Sequence, residues 1–187
     1  MNYSDVMEKA KTALDNNETE KAQALATMAV ADRLDRLCEI LQRHFIGMLV
    51  VGEPDSGKTT FLRQIAQSLA GMQRRVCVVD ERGEIYPQEL SGPDQQLSAV
   101  DTLSGIPKER AVQMALRTLS PQVIVLDELG SLAETAALEQ GFFSGVDFIA
   151  SIHAPDAAQA QCRPQVQALL QRGMLRQLVI LAGREIP

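Results

Sequence analysis

The run Gly52-Glu53-Pro54-Asp55-Ser56-Gly57-Lys58-Thr59-Thr60 satisfies every fixed position of the pattern G-x-x-x-x-G-K-[ST]. Such a loop works only where a buried strand runs into it and a helix runs out, because backbone N–H groups and the positive end of the helix must converge on one anion. Both flanks qualify. Ile46, Met48, Leu49, Val50 and Val51 form an apolar run before it, and Phe61, Leu62, Ile65, Ala66 and Leu69 recur at helical spacing after it, with Gly71 placed to end the helix. The pattern predicts phosphate binding across Gly52 to Thr60. Gly52 and Gly57 permit the tight turn, Lys58 reaches the outer phosphates of a nucleotide, Thr59 completes a magnesium shell, and Thr60 has a structural part. Glu53 and Asp55 work against this. A carboxylate about 6 Å from a phosphate opposes binding by roughly 1–3 kcal/mol, depending on screening. Asp55 does suit a turn, since Asp tolerates unusual backbone angles.

Further along, Val76-Cys77-Val78-Val79 is a continuous apolar run of the kind found in strands covered on both faces, and it ends at Asp80. Glu81, Arg82, Gly83, Glu84 and Ile85 follow, then a Pro- and Gly-punctuated loop from Tyr86 to Gly105. Pro107 suits a first helical turn, Val112, Ala115, Leu116 and Leu119 give one apolar face, and Pro121 stops the helix. Val123-Ile124-Val125-Leu126 ends in Asp127-Glu128, which reads as a Walker B strand. Its end places Asp127 to hold magnesium through water and Glu128 to act as base on the attacking water. Ser131 to Glu134 is a capping box opening a short helix that Gly141 closes. A fourth strand over Val146 to Ala150 leads to Ser151, Ile152 and His153, and the position of His153 suits a γ-phosphate sensor. Pro164 divides the next helical stretch, Gly173 ends it, and Leu178 to Ala182 supply a fifth strand.

Ahead of the loop, residues 1–21 read as a loosely ordered helical arm. From 22 onward Val30, Leu34, Leu37, Cys38 and Leu41 mark an amphipathic helix leading into a single domain over 22–187. With 187 residues, 45% hydrophobic and 22% charged, the chain has the make-up of one globular domain. Its apolar runs are strand-sized, which excludes a membrane span, and the N-terminus lacks the pattern of a secretory signal, so a cytoplasmic protein is expected. The three cysteines, Cys38, Cys77 and Cys162, lack metal-ligand spacing and are expected as reduced core thiols. A formal net charge of −6 argues against nucleic acid as a partner.

Five apolar strands alternating with helices predict an α/β fold with a doubly wound parallel sheet flanked by helices. One whole strand, residues 76–80, separates the glycine-rich loop from the Asp127-Glu128 strand, and Glu128 directly follows Asp127. This arrangement resembles the RecA-like P-loop NTPase core. The resemblance implies sheet order 5-1-4-3-2, with the fourth strand between those carrying the two motifs.

Four longer runs, Val50 to Arg63, Val78 to Ile85, Ala115 to Gly130 and Leu170 to Leu181, resemble the family of stage III sporulation protein AA, itself similar to the hexameric type II/IV secretion ATPases. The resemblance implies an ATP- and Mg2+-dependent ATPase acting as motor or assembly factor. It also implies a homo-oligomer, hexameric as in the secretion relatives, that works with membrane channel proteins of a sporulation or secretion-like complex and sits peripherally at that membrane. By the same resemblance Lys58 and Thr59 hold nucleotide and magnesium, Asp127 and Glu128 form the second motif, and Glu81 and Glu84 rival Glu128 in orienting water. His153 falls in a histidine box, Arg82 and Arg117 match arginines of the relatives, and Arg172 and Arg176 join them as candidates for action across a subunit boundary. Two other classes stay open: a nucleotide-responsive scaffold with weak or no hydrolysis, and a nucleic-acid-dependent motor.

Overall fold

The computed structural model describes residues 47–86 and 100–181. These belong to the compact unit Phe45–Pro187, whereas the unit Met1–His44 lies outside the described residues, and with it the expected arm, the leading helix and Cys38. In chain order the elements are β1 (Gly47–Gly52), α1 (Lys58–Gly71), β2 (Val76–Asp80), β3 (Val100–Ser104), α2 (Lys108–Thr118), β4 (Val123–Leu126), α3 (Leu132–Phe143), β5 (Asp147–His153), α4 (Ala157–Gln161), α5 (Pro164–Gln171) and β6 (Gln177–Ile180).

All the strand pairings are parallel, in the order β3-β2-β4-β5-β1-β6. The five expected strands stand in their expected sequence, with β5 between β1 and β4. The sheet differs from expectation in having a sixth strand, β3, at its edge beside β2, inside the stretch read from the sequence as loop. Asp101, Thr102 and Ser104 are exposed, so β3 lacks the apolar run that marks its neighbours, as edge strands commonly do.

Register and period-two alternation divide the core into two layers. Leu49, Val51, Cys77, Val79, Ile124, Leu126, Phe148, Ala150 and Ile152 form one face, packed with Ala111, Val112 and Ala115 of α2, Ala137 and Leu138 of α3, and Val166 and Leu169 of α5. The alternate residues Met48, Val50, Val78, Val125 and Ile149, equally buried, face the other way, where α1 offers Leu62, Ile65, Ala66 and Leu69. Burial on both sides explains why these strands are continuous apolar runs.

Two further expectations are corrected. Gly141 lies inside α3, which runs on to Phe143; a Cβ there would come within 3.1 Å of Leu116, so the glycine lets α3 approach α2 closely. Of the cysteines, Cys77 is buried but Cys162, at the end of α4, is exposed and is not a core thiol. The capping box at Ser131 is present, with Ser131 Oγ accepting from the Glu134 amide and the Glu134 carboxylate accepting from the Ser131 amide.

Candidate functional site

A cleft of about 370 Å³ opens at the carboxyl ends of the parallel strands, where open α/β sheets place their ligands. Pro54, Asp55, Gly57, Lys58, Thr59 and Thr60 line one side. Arg82 and Glu84 from the segment after β2, Asp127 and Glu128 after β4, and Ser151 and His153 from β5 line the other.

The first side is shaped by the glycine-rich loop. A Cβ on Gly52 would meet Ser56 Oγ at 2.3 Å, so β1 can hand over to the loop this closely only through glycine. Gly57 then takes φ 88, the left-handed region open to glycine at no steric cost, and α1 begins at the next residue. No side chain caps that helix start and its first turn carries no acid, so its leading amides remain directed at the cleft, an anion-binding arrangement. Asp55 also lies at positive φ, 61, as its tolerance of such angles allows. Lys58 is buried, and its Nζ donates to the carbonyls of Gly52 at 3.0 Å and Glu53 at 2.5 Å. Burial lowers its pKa, while the charges of Glu128, Asp55 and Asp127 act in the opposite sense. Glu53 itself is exposed and enters through its carbonyl, and Ser56 supports the lysine from 3.5 Å.

On the other side, the Asp127-Glu128 segment is held from several elements. Its Asp127 amide donates to Val79 at 3.2 Å, and its Asp127 carbonyl accepts from the Ser151 hydroxyl. The Glu128 carbonyl accepts from Lys108 Nζ at 2.8 Å, and the Leu129 amide donates to Ser151 at 2.8 Å. Gly130 is held through its amide by Glu134 and through its carbonyl by Gln165 Nε2, both at 2.7 Å. Burial, then the charges of Glu84 and Asp80, push the Asp127 carboxyl up to about 6, with Lys108 acting against them. His153 Nε2 lies 3.9 Å from Glu128 Oε1.

These residues fit magnesium accompanied by a phosphate. Among the described residues no cluster of three or more His, Cys, Asp or Glu side chains makes a metal site. Mg2+ characteristically takes only one or two protein ligands and completes its shell with water and phosphate oxygens. Thr59 and Asp127 both line the cleft and could supply those protein ligands.

The expected site residues divide by position. Lys58, Thr59, Thr60, Asp127, Glu128, Glu84, His153 and Arg82 come together in the cleft. Glu81 is exposed and is not part of its lining; its carbonyl accepts from Gly105 at 3.2 Å. Arg117 is exposed in the last turn of α2, about 14 Å along the axis from the helix start at 1.5 Å per residue. Arg172 pairs with Glu139, and the Arg176 amide bonds to Gly47 at the amino end of β1, away from the cleft. Sequence reasoning passed over Lys108, Ser151, Gln165 and Arg63, whose contacts arise only from tertiary packing. The one available signal was the place of Ser151 two residues before His153 on the same strand.

The sequence model of the family described as Sporulation stage III, protein AA, matches residues 22–187. Stage III sporulation protein AA of Bacillus subtilis (strain 168) is 32% identical over 136 residues, covering 70% of this chain and 44% of the relative, so the chain spans less than half the length of that protein. Among solved structures, the VirB11 ATPase from the Brucella suis type IV secretion system, in complex with sulphate, superposes with a TM-score of 0.62 at 19% identity over 88% of this chain and 51% of that one. The Legionella pneumophila ATPase DotB gives 0.60 at 19% identity over 78% and 43%. These likenesses establish the fold as that of the P-loop secretion ATPases.

Proposed function

Because the chain belongs to the Sporulation stage III, protein AA family, we propose that it is a magnesium-dependent ATPase, converting ATP and water to ADP and phosphate, that serves as motor or assembly factor for a channel complex. The observation that carries this reading is a single cleft holding both the uncapped start of α1, with Lys58 and Thr59, and the Asp127-Glu128 pair.

In this mechanism the amides leading α1 bind the β- and γ-phosphates, and Lys58 exchanges its bonds to the Gly52 and Glu53 carbonyls for phosphate oxygens. Thr59 and Asp127 would hold magnesium, which when bound would neutralise charge developing on the phosphoryl oxygens. Glu128 accepts the proton of the attacking water as its oxygen bonds to the γ-phosphorus and the bond to the β-bridging oxygen breaks. His153, beside Glu128, senses whether the γ-phosphate is present. Glu84 and Arg82 close the far side. Assembly into a homo-oligomer, docking on membrane channel proteins and a peripheral cytoplasmic location belong to the same proposal. None of the described helices is long and apolar enough to cross a membrane.

The test is phosphate release with ATP and magnesium, comparing the parent chain with Lys58→Ala and Glu128→Gln. Turnover lost in both supports the reading, and turnover untouched by either overturns it. A second reading, a nucleotide-responsive scaffold without hydrolysis, draws on Lys58 being engaged by its own loop among the charges of Asp55, Asp127 and Glu128. Calorimetric binding of ATP and ADP with no phosphate release would favour it.

A further inference from the structure

Glu84 reaches the cleft from a short segment whose shape is set by two residues that do not line it. Asp80, the last residue of β2, is fully buried. Its Oδ1 accepts from the Glu84 amide at 2.9 Å, and its Oδ2 accepts from the amides of Ile85 at 2.7 Å and Tyr86 at 3.1 Å. Arg63, in α1, holds the carbonyls of the same peptides: Nε donates to Ile85 and Nη2 donates to Glu84 at 3.0 Å. The Tyr86 hydroxyl reaches back to the Arg63 carbonyl at 3.5 Å, and the Ile85 side chain is fully buried beneath. An anion therefore grips the amides and a cation grips the carbonyls of the main chain around one residue. Bonds to a charged partner are about twice as strong as neutral ones.

The clamp also has a direction. Arg63 lies four residues after Thr59, one turn along the same side of α1. The helix that opens at the glycine-rich loop is thus the helix that fixes the Glu84 segment, and the two sides of the cleft are joined by Arg63 rather than merely packed. The side chain so presented is accessible: the Glu84 carboxylate is 49% exposed, lines the cleft, and stands 3.8 Å from Arg82. The main chain of Glu84 is thus held firmly while its carboxylate stays open to the cleft.

We propose that Arg63 and Asp80 are positioning residues that hold Glu84 in the cleft as its third working carboxylate, orienting water at the reacting phosphate. The inference rests on the ATPase reading above and names residues through which that site acts. Glu84 touches the water; Arg63 and Asp80 act through Glu84.

The experiment uses the full chain with Arg63→Gln, Arg63→Lys, Asp80→Asn, Glu84→Gln and the double variant Arg63→Gln with Glu84→Gln. In Arg63→Gln, kcat is expected to fall at least about tenfold with KM held within about threefold, as for loss of orientation rather than of binding. Arg63→Lys, which keeps the charge but not the fork, should recover part of the loss. The double variant should be no slower than Glu84→Gln, because residues acting through one another do not add. Amide exchange over residues 81–86 should quicken in Arg63→Gln and Asp80→Asn while β4 stays protected, a readout independent of turnover. Arg63 is half-buried whereas Asp80 is fully buried, so the Arg63 variants are the ones expected to fold if Asp80→Asn does not. Full kcat in Arg63→Gln despite faster exchange, or losses that add in the double variant, overturns this inference alone. Absence of turnover in the parent chain overturns the ATPase reading, and the positioning role with it.

Discussion

The Nε2 atom of His153 stands 3.9 Å from Oε1 of Glu128, the two side chains arriving from the ends of adjacent strands β5 and β4. Glu128→Gln keeps the shape of that pair and removes the proton acceptor, so turnover should fall about a hundredfold or more, the usual contribution of a positioned base. Nucleotide affinity, measured by calorimetry, should hold or increase, because a negative charge near Lys58 is lost. Retained turnover would move the base role to Glu84, the acid after β2 that lines the cleft.

Asp127 makes the ligand-free protein sensitive to pH. Its carboxyl is raised from 3.8 to about 6 by burial first and then by Glu84 and Asp80. The folded state therefore holds this proton more tightly than the unfolded chain does. The stabilising effect is complete below the unfolded pKa and disappears as pH rises through about 6. Asp127→Asn should melt above the parent chain at pH 7 without ligand, and the difference should shrink toward pH 4. The same variant should lose the added stability that magnesium and nucleotide give the parent. Thermal melts at the two pH values with and without ligand test both statements, and a variant melting below the parent at pH 7 would contradict the first.

At Asp55 conformation and charge can be separated. Its φ of 61 is a conformation that glycine adopts freely and asparagine tolerates. Asp55→Asn removes only the charge, while Asp55→Gly also removes the backbone strain. Removing the charge should tighten nucleotide binding about tenfold. Equal gains in the two variants would assign the effect to electrostatics; a gain in Asp55→Gly alone would assign it to the backbone.

The two described cysteines should label in a fixed order. Cys162 is exposed, whereas burial, followed by the charge of Asp101, pushes the Cys77 thiol up to about 12. Since the thiolate is the reactive form, an alkylating reagent at neutral pH should modify Cys162 in the native protein and reach Cys77 only after denaturation. Peptide mass mapping reads the outcome, and early modification of Cys77 would show β2 opening locally.

The parts legible in the sequence were those governed by local pattern. Continuous apolar runs marked β1, β2, β4 and β5 because both faces of those strands are covered, and the glycine spacing marked the loop because Gly57 must be left-handed. Asp127 and Glu128 followed from their place after β4. Strand β3 was hidden because only Val100 and Leu103 of its residues are apolar. Gly141 resembled a helix stop because a glycine that admits a neighbouring helix and one that ends a helix look alike in sequence. Arg63, Asp80 and Lys108 were ordinary charges until folding brought main-chain atoms against them; no spacing rule anticipates a bond from Lys108 to Glu128 across twenty residues.

The bonds that hold residues 127–130 are made almost entirely to main-chain atoms, from β2, β5, α2, α3 and α5. The acids on that segment are therefore in place before any ligand arrives, and the entropy of arranging them is spent during folding instead of at each encounter. The exposed Pro54-Asp55 tip is spanned by a single turn bond, from the Ser56 amide to the Glu53 carbonyl at 3.2 Å. One wall of the cleft is thus braced by five elements of the fold, and the tip of the other mainly by its own loop.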